Sequence, residues 1–262
     1  MTEIHIPTLA PEVLLHLGGI AVTNTMINAW LAIVIFLILG IWITRTVRLR
    51  PGRFQLTLES GIEALWGYFD QVTGSRVKTQ RFFPLVGSVF FFILLSNWLG
   101  LLPGTGSLTF GHAMVLRPAN TDLNLTLAMA LVSVIGSHVM AFGAIGVFTH
   151  LGKFVQIKNV FTSFLKGPMA VFQALIEFAV GLLEMVSEAS KVLSLSLRLF
   201  GNIFAGEVLI SVISALVAAV VPTPFMLLEI LVGLIQAAVF AMLTLVYLTT
   251  ASEAPHGVEA HH

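Results

Sequence analysis

Six charged or polar side chains share one face of the longest apolar stretch in the chain. Successive members are seven, four, three, seven and four residues apart, which places them on one stripe of a helix. The six are Glu177, Glu184, Glu188, Lys191, Arg198 and Asn202. Ionisable groups among leucines and phenylalanines indicate charged partners or a water-filled path.

Arg198 is the charge in this stripe that its own helix does not neutralise. It stands in "SLSLRLFGNIFAGE", residues 194–207, and the nearest acid along the stripe, Glu188, is ten residues away. A charge at membrane depth costs at least about 2.5–3.5 kcal/mol, so we expect the partner of Arg198 on another chain. Glu207, nine residues further on, falls on roughly the opposite helix face.

Lys191 differs from Arg198 because acids lie within reach on its own helix. Glu188 is three residues before it and Glu184 is seven residues before it. Either carboxylate is in position for an ion pair that only stabilises packing. That structural role and a part in ion movement stay equally open.

Composition places these charges in a membrane. Hydrophobic residues make up 57% of the 262 residues and charged residues 10%, against roughly a quarter charged in soluble domains. Cysteine is absent, which excludes disulfide, thiolate and zinc-thiolate chemistry. The sequence has no phosphate-binding loop, nucleophile triad or metal cluster. We therefore predict a single all-α integral membrane domain, 1–262, without a cofactor and without catalysis of its own.

Uncharged runs predict the first helices. An outer N-terminal segment, 1–19, precedes transmembrane helices at 20–44, 82–102 and 123–148, each long enough for the roughly 20 residues of one crossing. Between the first two, Leu58, Ile62 and Phe69 recur at helical spacing. This pattern predicts an amphipathic helix at 54–72. Interfacial binding and packing on a partner as a soluble helix are both open.

The last hundred residues predict a long helical hairpin. No proline interrupts residues 168–220, and a helix of that length is roughly 80 Å long against a hydrocarbon core of about 30 Å. The helix therefore either splits near "LFGN" or runs strongly tilted. "VPTP" at 221–224 turns the chain into a second arm at 225–250, which carries Glu229 and Gln236. A polar tail follows at 251–262.

Basic residues predict the orientation. They concentrate between the first two runs and after the third, at Arg45, Arg48, Arg50, Arg53, Arg76, Lys78, Arg81, Lys153, Lys158 and Lys166. Positively charged loops stay in the cytoplasm. We therefore expect the N-terminus outside and the C-terminus inside, in the plasma (inner) membrane of a bacterium.

Three stretches carry a resemblance to a known family. "LRLFGNIFAGE" at 197–207, "LIQAAVFAMLTLVYL" at 234–248 and "PANTDLNLTLAMAL" at 118–131 resemble subunit a of the rotary, F-type ATP synthases. The resemblance implies a stator whose tilted hairpin faces a ring of c subunits, with peripheral-stalk b subunits, the remainder of the ATP synthase and the lipid bilayer as further partners. It implies ATP chemistry on other subunits, H+ as the ion with Na+ as an alternative, and no nucleic acid.

Residue roles follow from the same resemblance. Arg198 matches the essential stator arginine, Asn202 and Gln236 match its polar neighbours, and Glu207 matches the acid of the outer half-channel. Further matching positions are Asp122 in the third-helix segment, Glu184 before Lys191, and Glu229, where the family has histidine or an acid. With Glu188 and Lys191 at the inner mouth, these residues form the expected path for protons.

Three local expectations concern positions around this path. Asp122 is predicted to cap the third helix, and His138 is predicted to be a satisfied packing residue. A hairpin closed tightly at residues 222 and 223 places Arg198 opposite Tyr247, whereas the resemblance brings Gln236 close to Arg198. An oblique slide and a looser turn are both open.

Other classes of function remain alternatives. A self-contained proton-coupled secondary transporter or a cation channel also buries acids and an arginine, but usually has internal repeats, which the sequence lacks. A structural scaffold leaves the buried charges without a role. Copurification with a ring of small hairpin subunits favours the stator, and substrate uptake by the isolated chain favours the transporter.

The orientation generates a first prediction. Single cysteines introduced as Thr2→Cys and Ala260→Cys in this cysteine-free chain should react with a membrane-impermeant maleimide from opposite sides. Thr2→Cys should be labelled in whole cells and Ala260→Cys only in inverted vesicles. Labelling of both from outside would reject this topology.

Overall fold

The structure, a computed structural model, describes residues 8–102, 109–110, 113–147, 150, 168–216 and 221–252. Its helices are α1 (Asn24–Thr46), α2 (Arg53–Thr73), α3 (Arg76–Gly100), α4 (Leu123–Ile145), α5 (Pro168–Leu216) and α6 (Pro222–Ser252). All but α2 are long and apolar enough to cross a membrane. The expected all-α membrane fold is confirmed. Two short hairpins, β1 (Val13–Leu17) with β2 (Ile20–Thr23) and β3 (Thr109–Phe110) with β4 (Ala113–Met114), accompany the helices.

The N-terminal hairpin moves the start of the first helix. Gly18 and Gly19 have φ values of 56° and 90°, the conformation that a tight turn between antiparallel strands requires. Residues 20–23 consequently belong to β2, and the predicted start at residue 20 is wrong. The helix α1 begins at Asn24, where Thr23 caps it by accepting a hydrogen bond from the Met26 amide.

Helix α2 packs against both α3 and α6. Its Phe69 is buried in the main core, and Gly74, with φ 65°, ends the helix. Directly afterwards, Arg76 opens α3 and bonds both Glu63 and Asp70 at 2.8 Å. The basic residues Arg76, Lys78 and Arg81 therefore lie in the first turns of α3, not in a loop. Its predicted start at residue 82 is six residues late.

The core lies where α3, α4, α5 and α6 meet. Lipid tails are as apolar as leucine, so van der Waals packing and hydrogen bonds between helices hold such a bundle together. The largest completely buried side chains include Ile93 of α3, Leu195 and Leu199 of α5, and Phe240 and Leu245 of α6. By contrast, α1 packs mainly on α3 and exposes most of its apolar surface.

The two long helices form the framework for the polar residues. Helix α5 is continuous through "LFGN" and has 49 residues, which is about 74 Å at 1.5 Å per residue. This removes the alternative of two separate crossings. Helix α6 begins at Pro222 and extends to Ser252, so the first two residues of the predicted tail are helical. Residues 253–262 of that tail, with His256, lie outside the described residues.

Two ends of this bundle are used below as landmarks. The hairpin end carries β1 and β2, the start of α1 and α4 and the end of α5. The basic end carries α2, the start of α3 and the end of α6, together with Arg45, Arg76 and Arg81. Because α5 starts at the basic end and finishes at the hairpin end, its polar stripe connects the two.

The close contact of α3 with the segment before α4 gives a second prediction. A Cβ added at Gly100 would lie 2.8 Å from Pro118 Cα, so Gly100→Ala should cost about 1–3 kcal/mol of folding stability through overpacking. The matched control is Gly61→Ala in α2, where a Cβ meets nothing within 4 Å. Thermal denaturation in detergent should show a lower midpoint only for Gly100→Ala. Equal midpoints would contradict this contact.

Candidate functional site

A hydrogen bond between Asn202 and Gln236 sets the register of the two long helices. Asn202 Nδ2 donates to Gln236 Oε1 at 2.6 Å. In a hairpin closed at residues 222 and 223, Gln236 would instead lie opposite Leu209, seven residues further along α5. The ammonium of Lys191 lies 5.0 Å from the centre of the Tyr247 ring, which fits the same offset. Gln236 is thereby bonded to the residue one helical turn from Arg198; its closeness to Arg198 itself stays a prediction.

Arg198 points away from the bundle. Its neighbours Leu195 and Leu199 face the core, whereas Arg198 is exposed. Within the described ranges, the guanidinium makes no hydrogen bond or ion pair with this chain. Gly201 and Ala205 are exposed nearby, and a Cβ at Gly201 would meet open space. This surface therefore presents a positive charge beside small residues that permit another helix to approach closely.

Glu207 forms a buried ion pair with Arg117 at the hairpin end. Arg117 Nε lies 2.8 Å from Glu207 Oε1, and Nη2 lies 2.9 Å from Oε2. The side chains are 5% and 14% exposed. Arg117 also donates to the carbonyl oxygens of Thr8 and Ala10 at 2.8 and 3.3 Å. One guanidinium thus connects the N-terminal segment, the connection before α4, and α5.

Glu229 lies beside that ion pair on α6. It is buried, and it faces Gly206, where an added Cβ would overlap the Glu229 carboxyl group. A side chain at 206 would therefore displace that carboxyl group from its present position. In the part of the chain that is described, Glu229 Oε1 has no hydrogen-bond partner. Glu229 consequently lies on the contact between α5 and α6, against the residue that precedes Glu207 on α5.

Amides and hydroxyls continue this polar region between the helices. Asn120 donates to Asn97 Oδ1 at 2.7 Å, and Asn97 donates to the carbonyl of Gly233 at 3.3 Å. Asp122 accepts from Thr25 at 3.2 Å and from the Asn124 amide at 2.9 Å. The predicted capping role of Asp122 is confirmed. Asp122 also reaches α1, a contact that no sequence pattern indicated.

A cavity of about 200 Å³ occupies the other side of Arg198, toward the basic end. Its lining residues come from α4, α5, α6 and His150, which lies five residues beyond the end of α4: Ser137, His150, Glu184, Ser187, Glu188, Lys191, Tyr247, Thr250 and Ala251. Lys191 Nζ lies 2.5 Å from Glu188 Oε1. Of the two acids that the spacing allowed, the structure selects Glu188 for the ion pair, while Glu184 lines the cavity.

The six polar residues of the stripe on α5 lie in different surroundings. Glu184, Glu188 and Lys191 border the cavity, Arg198 faces outward, and Asn202 turns to α6. Glu177 lies further toward the basic end. Both ring nitrogens of His138 have partners, as expected of a satisfied histidine: Nδ1 lies 2.9 Å from His150 Nε2, and Nε2 lies 3.5 Å from Glu188 Oε2. In the described ranges, no group of three or more histidine or acidic side chains is arranged to hold a metal ion.

Sequence reasoning missed several residues of this arrangement. No role was predicted for Arg117, although a lone arginine in the connection before α4 was a usable signal. Asn97 and Asn120 carried a weaker signal, which was an amide inside or beside an apolar helix. His150 had no signal at all, because only the fold brings it next to His138.

Comparison with known proteins identifies the family. The family model described as the ATP synthase A chain matches residues 26–249. The chain belongs to the ATP synthase A chain family. It is 31% identical over 239 residues to the "ATP synthase subunit a" of Moorella thermoacetica, covering 91% of this chain and 94% of that protein. It is 32% identical over 246 residues to the protein of the same name from Mycobacterium ulcerans, with 92% and 90% covered.

A third relative, "ATP synthase subunit a 2" of a Bradyrhizobium species, is 29% identical over 243 residues, with 93% of this chain and 95% of the relative covered. The region matched by the ATP synthase A chain model contains all the residues expected to line the path. The hairpin of β1 and β2 lies before it, as do Thr8 and Ala10. The membrane location and the place of this chain in an ATP synthase follow from the family and its helices.

The buried ion pair gives a third prediction. Arg117→Gln should lower stability by about 3–5 kcal/mol, because it leaves the Glu207 carboxylate buried without its main partner. Glu207→Gln should cost less, since Arg117 keeps the Thr8 and Ala10 carbonyls. The double variant should lose less stability than the sum of the losses in the two single variants. Thermal denaturation of the four proteins in detergent measures this coupling, and additive losses would show that the pair does not stabilise the fold.

Proposed function

We propose that this chain is the stator subunit that carries ions through the membrane sector of an ATP synthase. It would provide two offset half-channels to and from a rotating ring of c subunits, and it would not itself catalyse ATP synthesis. The observation that carries the proposal is the exposed guanidinium of Arg198, which makes no hydrogen bond or ion pair in the described part of its own chain. A costly membrane charge without an internal partner needs one on a facing subunit.

The chemistry of arginine suits this task. A ring carboxylate must be neutral to turn through lipid and ionised to release its proton, whereas a guanidinium stays protonated throughout. Arg198 would stabilise the ionised carboxylate as it passes. It would then prevent protons from crossing directly between the half-channels. Asn202 and Gln236, bonded to each other one turn away, hold the two helices together beside this point.

The polar residues on either side of Arg198 support two separate water paths. Glu207 and Glu229 lie toward the hairpin end, with the amide network of Asn97 and Asn120. The cavity with Glu184, Glu188 and Lys191 lies toward the basic end. From Glu184 to Glu207, α5 extends over about 35 Å, comparable with the hydrocarbon core of about 30 Å. Neither group of polar residues has to span the membrane by itself, because the rotating ring would connect the two half-channels.

The orientation follows from the charges at the two ends. Arg45, Arg76, Lys78 and Arg81 lie at the basic end, which faces the cytoplasm under the positive-inside rule. The hairpin end and the N-terminus then face outward, and α6 finishes on the cytoplasmic side. The relatives are bacterial proteins, which supports the plasma (inner) membrane of a bacterium.

The partners follow from the surfaces. The face around Arg198 would contact the c-ring, and the exposed apolar face of α1 would contact lipid. Peripheral-stalk b subunits would hold the chain stationary against the remainder of the ATP synthase. One proton supplies only about 2.3 kcal/mol per 100 mV, so several passages are needed for each ATP. A self-contained transporter is less well supported, because such proteins use broken helices at the site and α5 is unbroken.

Arg198 generates the fourth prediction. Arg198→Ala should abolish coupled ATP synthesis and, once the soluble catalytic head has been removed, permit passive proton leak through joined half-channels. Arg198→Lys should also fail, because an ammonium lacks the planar fork and loses its proton more readily when desolvated. The measurement is ATP synthesis and proton flux in sealed vesicles at matched complex content.

The matched control is Arg45→Lys, an exposed arginine in the last turn of α1 at the basic end. It should synthesise ATP at the unaltered rate. Near-normal coupled synthesis by Arg198→Lys or Arg198→Ala would overturn the role proposed for Arg198.

A further inference from the structure

Two histidines and an acid form a connected chain at the basic end. His150 Nε2 and His138 Nδ1 lie 2.9 Å apart, and His138 Nε2 lies 3.5 Å from Glu188 Oε2. The other oxygen of Glu188, Oε1, is bonded to Lys191. Successive polar atoms therefore join four side chains: one from α4, that of His150 beyond the end of α4, and two from α5.

The fold brings these side chains together from distant positions in the sequence. His138 lies about two turns before the end of α4, and Gly146, with φ 86°, ends that helix. The turn returns His150 against α4, where its amide bonds the Gly146 carbonyl at 3.1 Å and its ring meets Phe142 edge-on at 5.2 Å. His150 is only 2% exposed. A buried imidazole is thereby held against a second imidazole.

The charged groups near His138 and His150 do not by themselves explain why two histidines are linked there. From α5, Glu184, Glu188 and Lys191 face this region, and Tyr247 faces it from α6. The guanidinium of Arg81 of α3 lies near Gly143 of α4. Lys191 already neutralises Glu188. An aliphatic residue at 138 would therefore leave the ion pair intact, so electrostatic balance alone does not account for two linked imidazoles.

The atoms allow a proton to pass in either direction. A bond between two imidazole nitrogens needs one N–H donor and one lone pair. With neutral His138 protonated on Nε2, its Nδ1 accepts from His150 Nε2–H. A proton added at His150 Nδ1 releases the Nε2 proton to His138 Nδ1, and His138 then releases its Nε2 proton to Glu188. One proton enters, one leaves, and each ring finishes neutral in its other tautomer.

We propose that His150, His138 and Glu188 form a proton relay in the half-channel at the basic end, along the wall of the cavity toward Arg198. The proposal rests on the proposed function and deepens it. A link between two imidazoles transfers protons, whereas hard cations such as Na+ require oxygen ligands. The ion that this relay carries is therefore H+.

The test uses the assembled complex in inverted vesicles with the catalytic head removed. Passive proton flux, driven by a potassium diffusion potential, is measured for wild type, His138→Gln and His150→Gln at matched complex content. Glutamine preserves hydrogen bonding but cannot relay a proton through a ring. The matched control is His16→Gln in β1, an exposed histidine at the other end of the molecule.

Both relay variants should lose about a hundredfold in flux, the lower end of the range for positioned proton transfer. They should also lose the wild-type change of flux between about pH 5 and 8, where imidazole changes charge. A His138→Ala variant should recover flux with added imidazole. It should not recover with pyrazole, a ring of the same size that binds protons weakly.

Flux within about twofold of the His16→Gln control, with the wild-type pH profile, would overturn the relay, as would equal rescue by pyrazole. If the substitutions at 138 prevent assembly, the passive flux of His150→Gln and its pH profile are sufficient to test the relay. Arg198→Ala is measured in parallel. Normal coupled ATP synthesis by the intact complex carrying Arg198→Ala refutes the proposed function. Loss of that synthesis, together with unaltered passive flux in the histidine variants, refutes only the relay.

Discussion

The offset contact between α5 and α6 is the constraint on which the polar arrangement depends. Gly206 lets α6 approach so closely that Glu229 takes the place of a side chain on α5. The same offset brings Asn202 to Gln236 and Lys191 to Tyr247. A shift of even two residues would separate these pairs and turn Glu229 away from the glycine. Three polar contacts along two long helices therefore share one register.

That register also decides which way the charges face. With Leu195, Leu199 and Ile203 packed into the core, Arg198 has to point outward. In lipid, such a surface is unfavourable for an isolated subunit, because a charge at membrane depth is costly. The arrangement is favourable only against a partner that supplies a carboxylate or water. The packing of the helix thus leaves a charge on its outer face that a carboxylate or water has to stabilise.

Polar side chains inside the bundle have different surroundings at its two ends. At the hairpin end, Arg117 and Glu207 satisfy each other in a nearly closed setting, and Asn97 and Asn120 are bonded to each other. At the basic end, a cavity of about 200 Å³ keeps acids, a lysine and a histidine around a shared space. The first arrangement holds segments of chain together, whereas the second leaves room for water and for proton exchange.

Sequence alone determined the class of this protein and the identity of most of its polar residues, because periodicity and composition are local properties. The spacing from Glu177 to Asn202 placed six side chains on one stripe, and the long uncharged runs required membrane helices. Helix starts were less accurate, since the turn at Gly18 and Gly19 and the charged first turns of α3 interrupt the hydropathy signal. Only the tertiary structure decided the partners: Arg117 with Glu207, Glu229 with Gly206, and His138 with His150. Those contacts depend on how far one helix slides past another, and that is set by the packing of the whole bundle.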